Sequence, residues 1–486
     1  MLWESTVFYL LRVGMNLPSL YHINKMRRVV IRLRMILLVV VPFFLLMGPS
    51  LLHAAADPAG TRSLTLDDAV RIGLEKSRAL EIARLDREMA GQKIRETWSE
   101  VLPQVSTGFT YTRTLKPSVL LLPANPLFPT GALETSSDNA GHGTLDVRQK
   151  IFDGAAIAGI KAAGIVRRMS EEAYRNAEAA VVADIKISYF DALISKDQLR
   201  LIEQSIARWE ESRKDTRAMF RQGVAADIDT LKAFLSVENL RPDLIRAESR
   251  VAITMTKLKN VMGIPADSDV VLTGRLDVTN ASYPSDIASA YREALDSRPD
   301  LRQLDLQVQA EGEKVNAARA ERFPVLSAFG KLESQTAFDD DVRLSDSSWP
   351  VSSSAGIQVS LPIFTGFRIS SKIQQAKISR LQTRSRLEEL KANIRAEVEI
   401  RLLNFRESQK RIEVQSKTIS VAERSYRISL LRFREGIGSR LELTDAELQL
   451  NKAKTNYLEA VYDYLVASVQ LEKALGRTKA MIAEKG

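Results

Sequence analysis

Few side chains in this sequence have the type and spacing that catalysis or metal binding requires. The chain of 486 residues contains no cysteine, which excludes disulfides, thiolate metal ligands and a cysteine nucleophile. Its three histidines, His22, His53 and His142, are too scattered for a zinc cluster. Neither a phosphate-binding G-x-x-x-x-G-K-[ST] loop nor an H-E-x-x-H motif is present. We therefore predict no enzymatic activity, no cofactor and no bound metal.

Two groups of carboxylates stand out by their spacing. Asp339, Asp340 and Asp341 are consecutive in a polar loop, for which we favour a solvated surface over a calcium site. Glu442 and Asp445 lie three residues apart at the start of the last predicted helix, so they share one helix face. Acids in a first helical turn also stabilise the helix by about 0.3–1 kcal/mol. The residues alone leave open whether this pair stabilises the helix or serves a function.

The N-terminal segment has the pattern of an export signal. Basic residues within 25–34 precede an apolar run over 35–47, and three alanines follow at 54–56. The thirteen apolar residues are short for a membrane helix, which needs about 20. We predict a signal peptide with an N-terminal extension over 1–56, with Met26 as an alternative start. Its removal takes away six of the 69 lysines and arginines and one of the 60 acidic residues, and the net charge falls from +9 to +4. Because little excess positive charge remains, we expect no nucleic-acid binding.

The remainder of the chain repeats one plan twice. The motif Ile-Phe-x-Gly occurs at 151–154 and 363–366, and Phe-Arg-x-Gly occurs at 220–223 and 433–436. A connector that contains proline and glycine separates the two copies. The predicted domains are a first repeat over 57–263, a linker over 264–284, a second repeat over 285–476 and a short C-terminal tail over 477–486.

Each repeat is predicted to contain two short helices, two strands, one long helix and a return helix. Apolar and polar residues alternate with a period of two in the strands, which are about ten residues long and could cross a bilayer when tilted. On the strands alone, a half-buried sheet of a soluble domain is the favoured interpretation. The predicted strands and long helices are 105–114, 143–152, 155–220 and 227–262 in the first repeat, and 325–335, 353–364, 368–433 and 440–475 in the second.

The long helices of the second repeat carry more than one apolar face. Alanines recur every seven residues from Ala446 to Ala474, which is typical of a coiled-coil seam with small residues. In 368–433, a row that contains Phe405 and a row that contains Val414 lie about 200° apart around the helix. A two-helix hairpin offers only one neighbour, so the second face predicts contact with other chains. A soluble bundle with a two-sided core is the alternative.

The order and duplication of these features resemble the TolC-like outer membrane efflux family. The resemblance covers nearly all of the chain after the signal, and it also rests on Arg298-Pro299-Asp300-Leu301 and on Pro103 and Pro324 after the first helices. It implies a mainly α fold with a β-barrel part. A long α-helical coiled-coil barrel would extend from four transmembrane strands per protomer, which would close as a 12-stranded barrel in a trimer.

The resemblance also implies a location and a function. The protein would lie in the outer membrane, with its helical domain in the periplasm. It would be the passive exit duct of a tripartite efflux or type I secretion system that exports small molecules. Its expected partners are two further copies, a periplasmic membrane-fusion adaptor, an inner-membrane pump and outer membrane lipid. One alternative keeps the fold and exports a polypeptide; another is a periplasmic coiled-coil adaptor or structural tether.

Functional positions follow from the same resemblance. Glu442 and Asp445 match the family's acidic ring near the periplasmic entrance, which would act as a gate. Phe433 and Gly438 stand where some members have a tyrosine and an arginine, so a hydrogen-bonded lock of that kind is not expected unless Arg434 or Arg440 replaces it. The periplasmic tip turns would contain Gly223, Gly436, Phe433, Arg434 and Arg440. The residues expected to face the lumen from the strands are Thr144, Asp146, Arg148, Gln358 and Ser360.

Overall fold

Each half of the described chain passes through the same order of elements. The computed structural model describes residues 62–121, 132–278, 283–284 and 286–477, so the predicted signal peptide lies outside the described residues. The first half contains β1 (Arg62–Leu64), α1 (Leu66–Lys76), α2 (Arg78–Ser99), β2 (Gln104–Arg113), β3 (Val119–Leu121), β4 (Ala132–Glu134), β5 (Asn139–Phe152), α3 (Gly154–Arg221), α4 (Asp227–Glu238) and α5 (Arg241–Met262). The second half contains β6 (Val270–Leu272), α6 (Ile287–Ser297), α7 (Pro299–Ala320), β7 (Val325–Phe338), β8 (Val351–Ser360), α8 (Arg368–Arg434) and α9 (Arg440–Leu475).

Four strands, two from each half, form one antiparallel sheet in the order β2-β5-β7-β8. The halves meet at the β5–β7 pairing, so neither half completes the sheet alone. Two strands are longer than predicted, because β5 starts at Asn139 rather than 143 and β7 continues to Phe338 rather than 335. The prediction of a strand over 353–364 is wrong at its end. The strand β8 stops at Ser360, shortly before Pro362, which has no N–H to donate to a ladder.

Capping residues and glycines determine where the long helices begin and end. The Asp153 carboxylate accepts the Ala155 N–H at 2.9 Å and thereby caps α3. At the ends of α5 and α9, Gly263 and Gly476 both have positive φ, of 73° and 76°. A Cβ at Gly263 would lie 2.1 Å from the Lys76 carbonyl oxygen at the end of α1, so only glycine allows this approach. The end of α6 packs on Gly476 in the same way.

The return helix of the first half is broken, which corrects the prediction of one helix over 227–262. The helix α4 ends at Glu238 and α5 begins at Arg241, with Pro242 in its first turn. Proline lacks the N–H of a continuous helix, and its ring clashes with the preceding turn. In the second half, α9 runs without interruption from Arg440 to Leu475.

The predicted heptad seam of α9 is buried within the single chain. The alanines from Ala446 to Ala474 all lie in the core, and Leu450, Tyr464 and Leu471 are buried beside them. On α8, Phe405 and Leu402 face this core, whereas the second apolar row remains exposed, with Val421 at 69%. The described helices include none that is both long and apolar enough to span a membrane.

Candidate functional site

The strand residues predicted to share a function lie on one face of the sheet. Within β5, Thr144, Asp146 and Arg148 alternate with apolar residues, and they pair with Glu333, Lys331 and Phe329 of β7. The pairing of β7 with β8 carries the same face on to Gln358 and Ser360. The structure therefore brings together all five positions that the sequence singled out. Because the period of a strand is two, one continuous register places them together.

The opposite face of the sheet is mostly apolar and exposed. Its large side chains are Val105, Phe109, Tyr111, Leu145, Val147, Leu332, Ile357 and Val359, and each is exposed in the single chain. An exposed apolar surface of this size is typical of a contact with a membrane or with another protein. The sheet thus has one face suited to water and one suited to lipid or to another apolar surface.

Two tight turns form the end of the helices that is far from the sheet. Gly223 lies between α3 and α4, and Gly436 lies between α8 and α9; both have φ of +77°, which disfavours any residue with a Cβ. A Cβ at Gly438 would lie about 3.0 Å from the backbone of Arg432 and Phe433. An arginine at 438 would therefore require the turn to move, which explains its absence here in physical terms.

The acidic pair lies on the surface of this tip. The Ser439 hydroxyl accepts the Glu442 N–H at 3.1 Å and caps α9. Arg432 Nη2 lies 4.0 Å from a Glu442 carboxylate oxygen, and both side chains are about half exposed. Asp445 is exposed and makes no ion pair with another described residue. The contacts within one chain agree equally well with two interpretations: a pair that stabilises the start of α9, and a pair that forms part of an acidic ring.

The two tip arginines contact α3 of the same chain. Arg434 forms ion pairs with Glu211 and Asp215, and the hydrogen bond to Glu211 raises the pKa of its guanidinium. Arg440 is only 8% exposed, and its Nη1 donates to the hydroxyls of Ser212 and Thr216.

The Arg440 guanidinium is only partly hydrogen-bonded to the described residues, and its Cζ lies 5.7 Å from the centroid of the Trp209 ring. Its Nε and Nη2 atoms are buried without a hydrogen bond among the described residues. Burial lowers the pKa of Arg440, and the nearby Asp229 carboxylate opposes that shift. A buried cation that is only partly satisfied destabilises the arrangement in which it sits. Arg434 thus connects α8 to α3 through two ion pairs, whereas two nitrogens of the buried Arg440 make no hydrogen bond to a described residue.

A polar stripe on α3, formed by Ser205, Arg208, Ser212 and Thr216, was not predicted from the sequence. Arg208 Nε donates to the Glu447 carboxylate of α9 at 2.8 Å, and Arg208 Nη2 donates to the Asn451 side chain at 2.7 Å. The Ser205 hydroxyl also bonds Glu447 and Asn451. The spacing of three and four residues along α3 is the signal that identifies this stripe. It joins the long helix of the first half to the return helix of the second.

Solved outer membrane channels have this same architecture of long helices and a small sheet. The Campylobacter jejuni CmeC outer membrane channel superposes with a TM-score of 0.69 at 19% identity, over 85% of this chain and 85% of that one. At this identity the likeness concerns the fold. The fold of the chain is thus that of a helical barrel with a β region.

The chain belongs to the Outer membrane efflux protein family, which it matches over residues 70–264 and 290–477. The Pseudomonas putida "Antibiotic efflux pump outer membrane protein ArpC" is 26% identical over 317 residues, 63% of this chain and 62% of its own length. The Pseudomonas putida "Toluene efflux pump outer membrane protein TtgC" is 26% identical over 313 residues, with the same coverage. The chain thus matches less than two thirds of the length of these relatives. The family's proteins are outer membrane components and not enzymes, which confirms the resemblance and the predicted location.

Proposed function

We propose that three copies of this chain form an outer membrane channel, the exit duct of a tripartite efflux system. The observation that carries the proposal is the sheet: it has one polar face, one exposed apolar face and two edges, β2 and β8, that lack a further strand among the described residues. An open sheet edge is not tolerated in lipid. Three copies of four strands would close a barrel of twelve, with Thr144, Asp146, Arg148, Gln358 and Ser360 facing the lumen.

The exposed apolar row on α8 supports assembly of the helical part. Val414, Val421 and Ile428 lie opposite the face that packs on α9, and no described element covers them. Contact with a second copy would bury this row. The number of copies can be tested by light scattering of the protein in detergent, where we expect three times the chain mass.

A matched pair of variants tests the helical interface. Val421→Glu places a charge in the proposed interface and should shift the mass toward one chain. Ser420→Glu places the same charge on a neighbouring exposed position away from the row and should leave the trimer intact. A trimer in both variants would exclude this row from the interface.

The cargo is proposed to be small molecules. Relatives are named for export of antibiotics and toluene, and this chain has no nucleotide-binding motif. An inner-membrane pump and a periplasmic adaptor would therefore supply energy and connection. Expression in a strain that lacks its own outer membrane channel should restore tolerance to toluene. Restored secretion of a polypeptide without restored tolerance would favour the alternative cargo. The adaptor or tether alternative does not agree with the family assignment.

We further propose that Glu442 and Asp445 form an acidic ring at the periplasmic entrance. In a trimer, six carboxylates near the axis would attract cations, because the effective dielectric of a narrow pore is below that of water. Replacing them as Glu442→Gln and Asp445→Asn should lower cation selectivity, measured as the reversal potential in a salt gradient. Glu459→Gln, an exposed acid higher on α9, is the control. If the pair serves only the helix start, selectivity stays the same and stability falls by about 0.3–1 kcal/mol per acid.

The tip turns that contain Gly223, Gly436 and Phe433 would form the closed end, with Arg434 and Arg440 as its charged contacts. Because Arg440 is incompletely paired in this arrangement, we expect it to gain a partner when the tip rearranges. Arg440→Met removes the buried charge and should lower the open probability of the channel in a bilayer. An unchanged open probability would remove Arg440 from the gate.

A further inference from the structure

One phenylalanine lies on the polar face of the sheet, among residues that otherwise suit water. Phe329 of β7 pairs with Arg148 of β5 on one side and with Gly356 of β8 on the other, so the three residues share this face. It is the only phenylalanine, tyrosine or tryptophan that the strand pairs of the described sheet place there. Phe329 is 38% exposed, and apolar surface in contact with water is unfavourable unless another group covers it.

The ring of Phe329 lies over the backbone of Gly356. A Cβ at Gly356 would lie 3.0 Å from two carbon atoms of the ring, Cε1 and Cζ, which is closer than ordinary contact. The glycine therefore leaves the space that the ring occupies. Glycine inside a strand often marks a place where another group approaches closely. One side of the ring is thus covered by β8, and the exposed remainder lies in front of the polar face.

The internal repeat shows that this placement of the ring is not required by the fold. After the proline that follows the short helices, the first repeat has Gly-Phe at 108–109 and the second has Phe-Gly at 329–330. This reversed order turns the ring to the other face, because the period of a strand is two. Phe109 accordingly lies on the apolar face, where it pairs with Gly143. Packing against a glycine therefore does not explain why the second ring lies on the polar face.

A cation without an ion-pair partner lies beside the Phe329 ring. Arg148 is exposed, and its guanidinium forms no ion pair or hydrogen bond with another described side chain. The neighbouring cations are paired: Lys150 lies 3.0 Å from the Asp153 carboxylate, and Lys331 forms an ion pair with Glu333. Residues directly opposite each other in neighbouring strands have Cβ atoms about 5 Å apart. The guanidinium and the exposed ring are therefore within reach of one small molecule.

The pair of side chains favours a ligand that has both an anionic group and an apolar body. A carboxylate binds a guanidinium through charge-assisted hydrogen bonds, and an aromatic body can pack on the exposed part of Phe329. Asp146 is the acid nearest to Arg148 along β5, but it lies opposite Lys331. A small aromatic carboxylate satisfies both side chains, whereas a hydrophilic anion or an uncharged ring satisfies only one.

We propose that Phe329 and Arg148 form a contact site for small aromatic carboxylates on the inner wall of the channel. The proposal rests on the proposed trimeric channel, in which the polar face lines the lumen. Three copies would place three such sites at one level of the wall, because each copy has the same strand register. The site has to be weak, since cargo that passes through a channel must leave as well as bind. A partly exposed ring and an exposed cation agree with weak binding.

Single-channel current through the original protein tests the chemical class of the ligand. Benzoate, acetate and benzamide are added in turn, at equal concentration, to a potassium chloride solution. Benzoate has the ring and the charge, acetate has only the charge, and benzamide has only the ring. We expect benzoate to reduce the current in a saturable manner at concentrations where the other two have little effect.

Three results of this comparison would contradict the proposal. Equal block by acetate would show that the ring contributes nothing. Equal block by benzamide would show that the charge contributes nothing. No block by benzoate would reject the site altogether.

Two variants test where benzoate binds. Phe329→Thr removes the ring but keeps a residue that favours strands, and Arg148→Gln removes the charge but keeps a polar side chain. An exposed ion pair and one face of a ring each stabilise a complex only modestly, so each variant should raise the half-blocking concentration of benzoate about fivefold. Lys331→Gln removes a paired cation of the same face and is the control, with an unchanged half-blocking concentration.

The variants can also refute the site. Unchanged block in both Phe329→Thr and Arg148→Gln would place the benzoate site elsewhere in the channel. An equal loss of block in Lys331→Gln would show that the overall charge of the wall binds the anion, and not this pair of residues.

Conductance in potassium chloride alone separates the contact site from the channel. Each variant should conduct much like the original protein, because the exchanged side chains lie outside the apolar face. A protein that conducts but is not blocked by benzoate rejects the contact site alone. Absence of conductance in the original protein rejects the proposed channel and the site with it. If a variant fails to insert, the comparison of the three compounds on the original protein still decides.

Discussion

Replacing Glu447 by alanine should destabilise the assembled protein by about 3 kcal/mol. Glu447 is 1% exposed, and its Oε1 accepts hydrogen bonds from Arg208, Ser205 and Asn451. Removing one partner of a buried ion pair costs about 3–5 kcal/mol, since the other charge is left uncompensated. The Arg208 side chain is 20% exposed and keeps its bond to Asn451, which places the loss at the lower end of that range.

Removing both charges should cost much less than removing one. The Glu447 Oε2 atom is buried without a hydrogen-bond partner among the described residues, so the native pair is itself imperfect. Apolar side chains of similar volume often replace such a pair with little loss. We therefore expect the double variant Arg208→Met, Glu447→Leu to lie within about 1 kcal/mol of the original protein.

Tryptophan fluorescence provides the assay, because Trp209, one of four tryptophans in the chain, is buried beside Arg208. Urea unfolding in detergent should show a clearly lower midpoint for Glu447→Ala. The exposed residue Glu459 lies on the same helix, and Glu459→Ala should leave the midpoint unchanged. If the double variant is as unstable as Glu447→Ala, the charges are not the source of the loss. A Glu447→Ala protein with an unchanged midpoint would refute the estimate altogether.

Three further expectations concern the seam, an ion pair and the export signal. Ala460→Trp overpacks a fully buried seam position and should lower the melting temperature of the protein, whereas Lys452→Ala, which is exposed on the same helix, should not; equal melting would show that the seam is loosely packed. Burial alone would raise the pKa of Asp300, but the Arg298 guanidinium outweighs burial and lowers that pKa. The ion pair therefore stabilises the fold above about pH 4, and this contribution is lost as the pH falls through the lowered pKa of Asp300 in the folded protein. In pH-dependent melting, Arg298→Ala should therefore be less stable than the original near neutrality and approach it in acid; a constant difference would contradict the ion pair. N-terminal sequencing of outer membrane protein should begin at Asp57, and retention of 1–56 would contradict the signal peptide.

The faces of the elements were predictable from the sequence because they depend only on local periodicity. Alternation in β5 and β8 fixed which residues share a face, so Thr144 and Gln358 were assigned together before their pairing was known. The two tip glycines were identifiable since a turn between long helices needs a residue without a Cβ. The buried seam followed from alanines at every seventh position.

Contacts between distant segments were not predictable in the same way. Arg208 and Glu447 are 239 positions apart, and periodicity does not reveal which helix faces which. The break before Pro242 was missed because the apolar spacing continues across it, while the missing N–H acts only on the backbone. Phe367, which has a strained positive φ of 64°, follows a strand that ends earlier than its apolar residues suggested. In each case tertiary packing or backbone chemistry outweighed the local pattern.

Single-channel conductance in a planar bilayer tests the central claim most directly. Purified protein added to one side should produce discrete, uniform current steps in salt solution, because a closed trimeric barrel contains one continuous aqueous path. Prior conversion to single chains by heating should abolish those steps, since four strands cannot enclose a pore. Insertion of the intact assembly without any current steps, or equal steps from single chains, would contradict the trimeric channel.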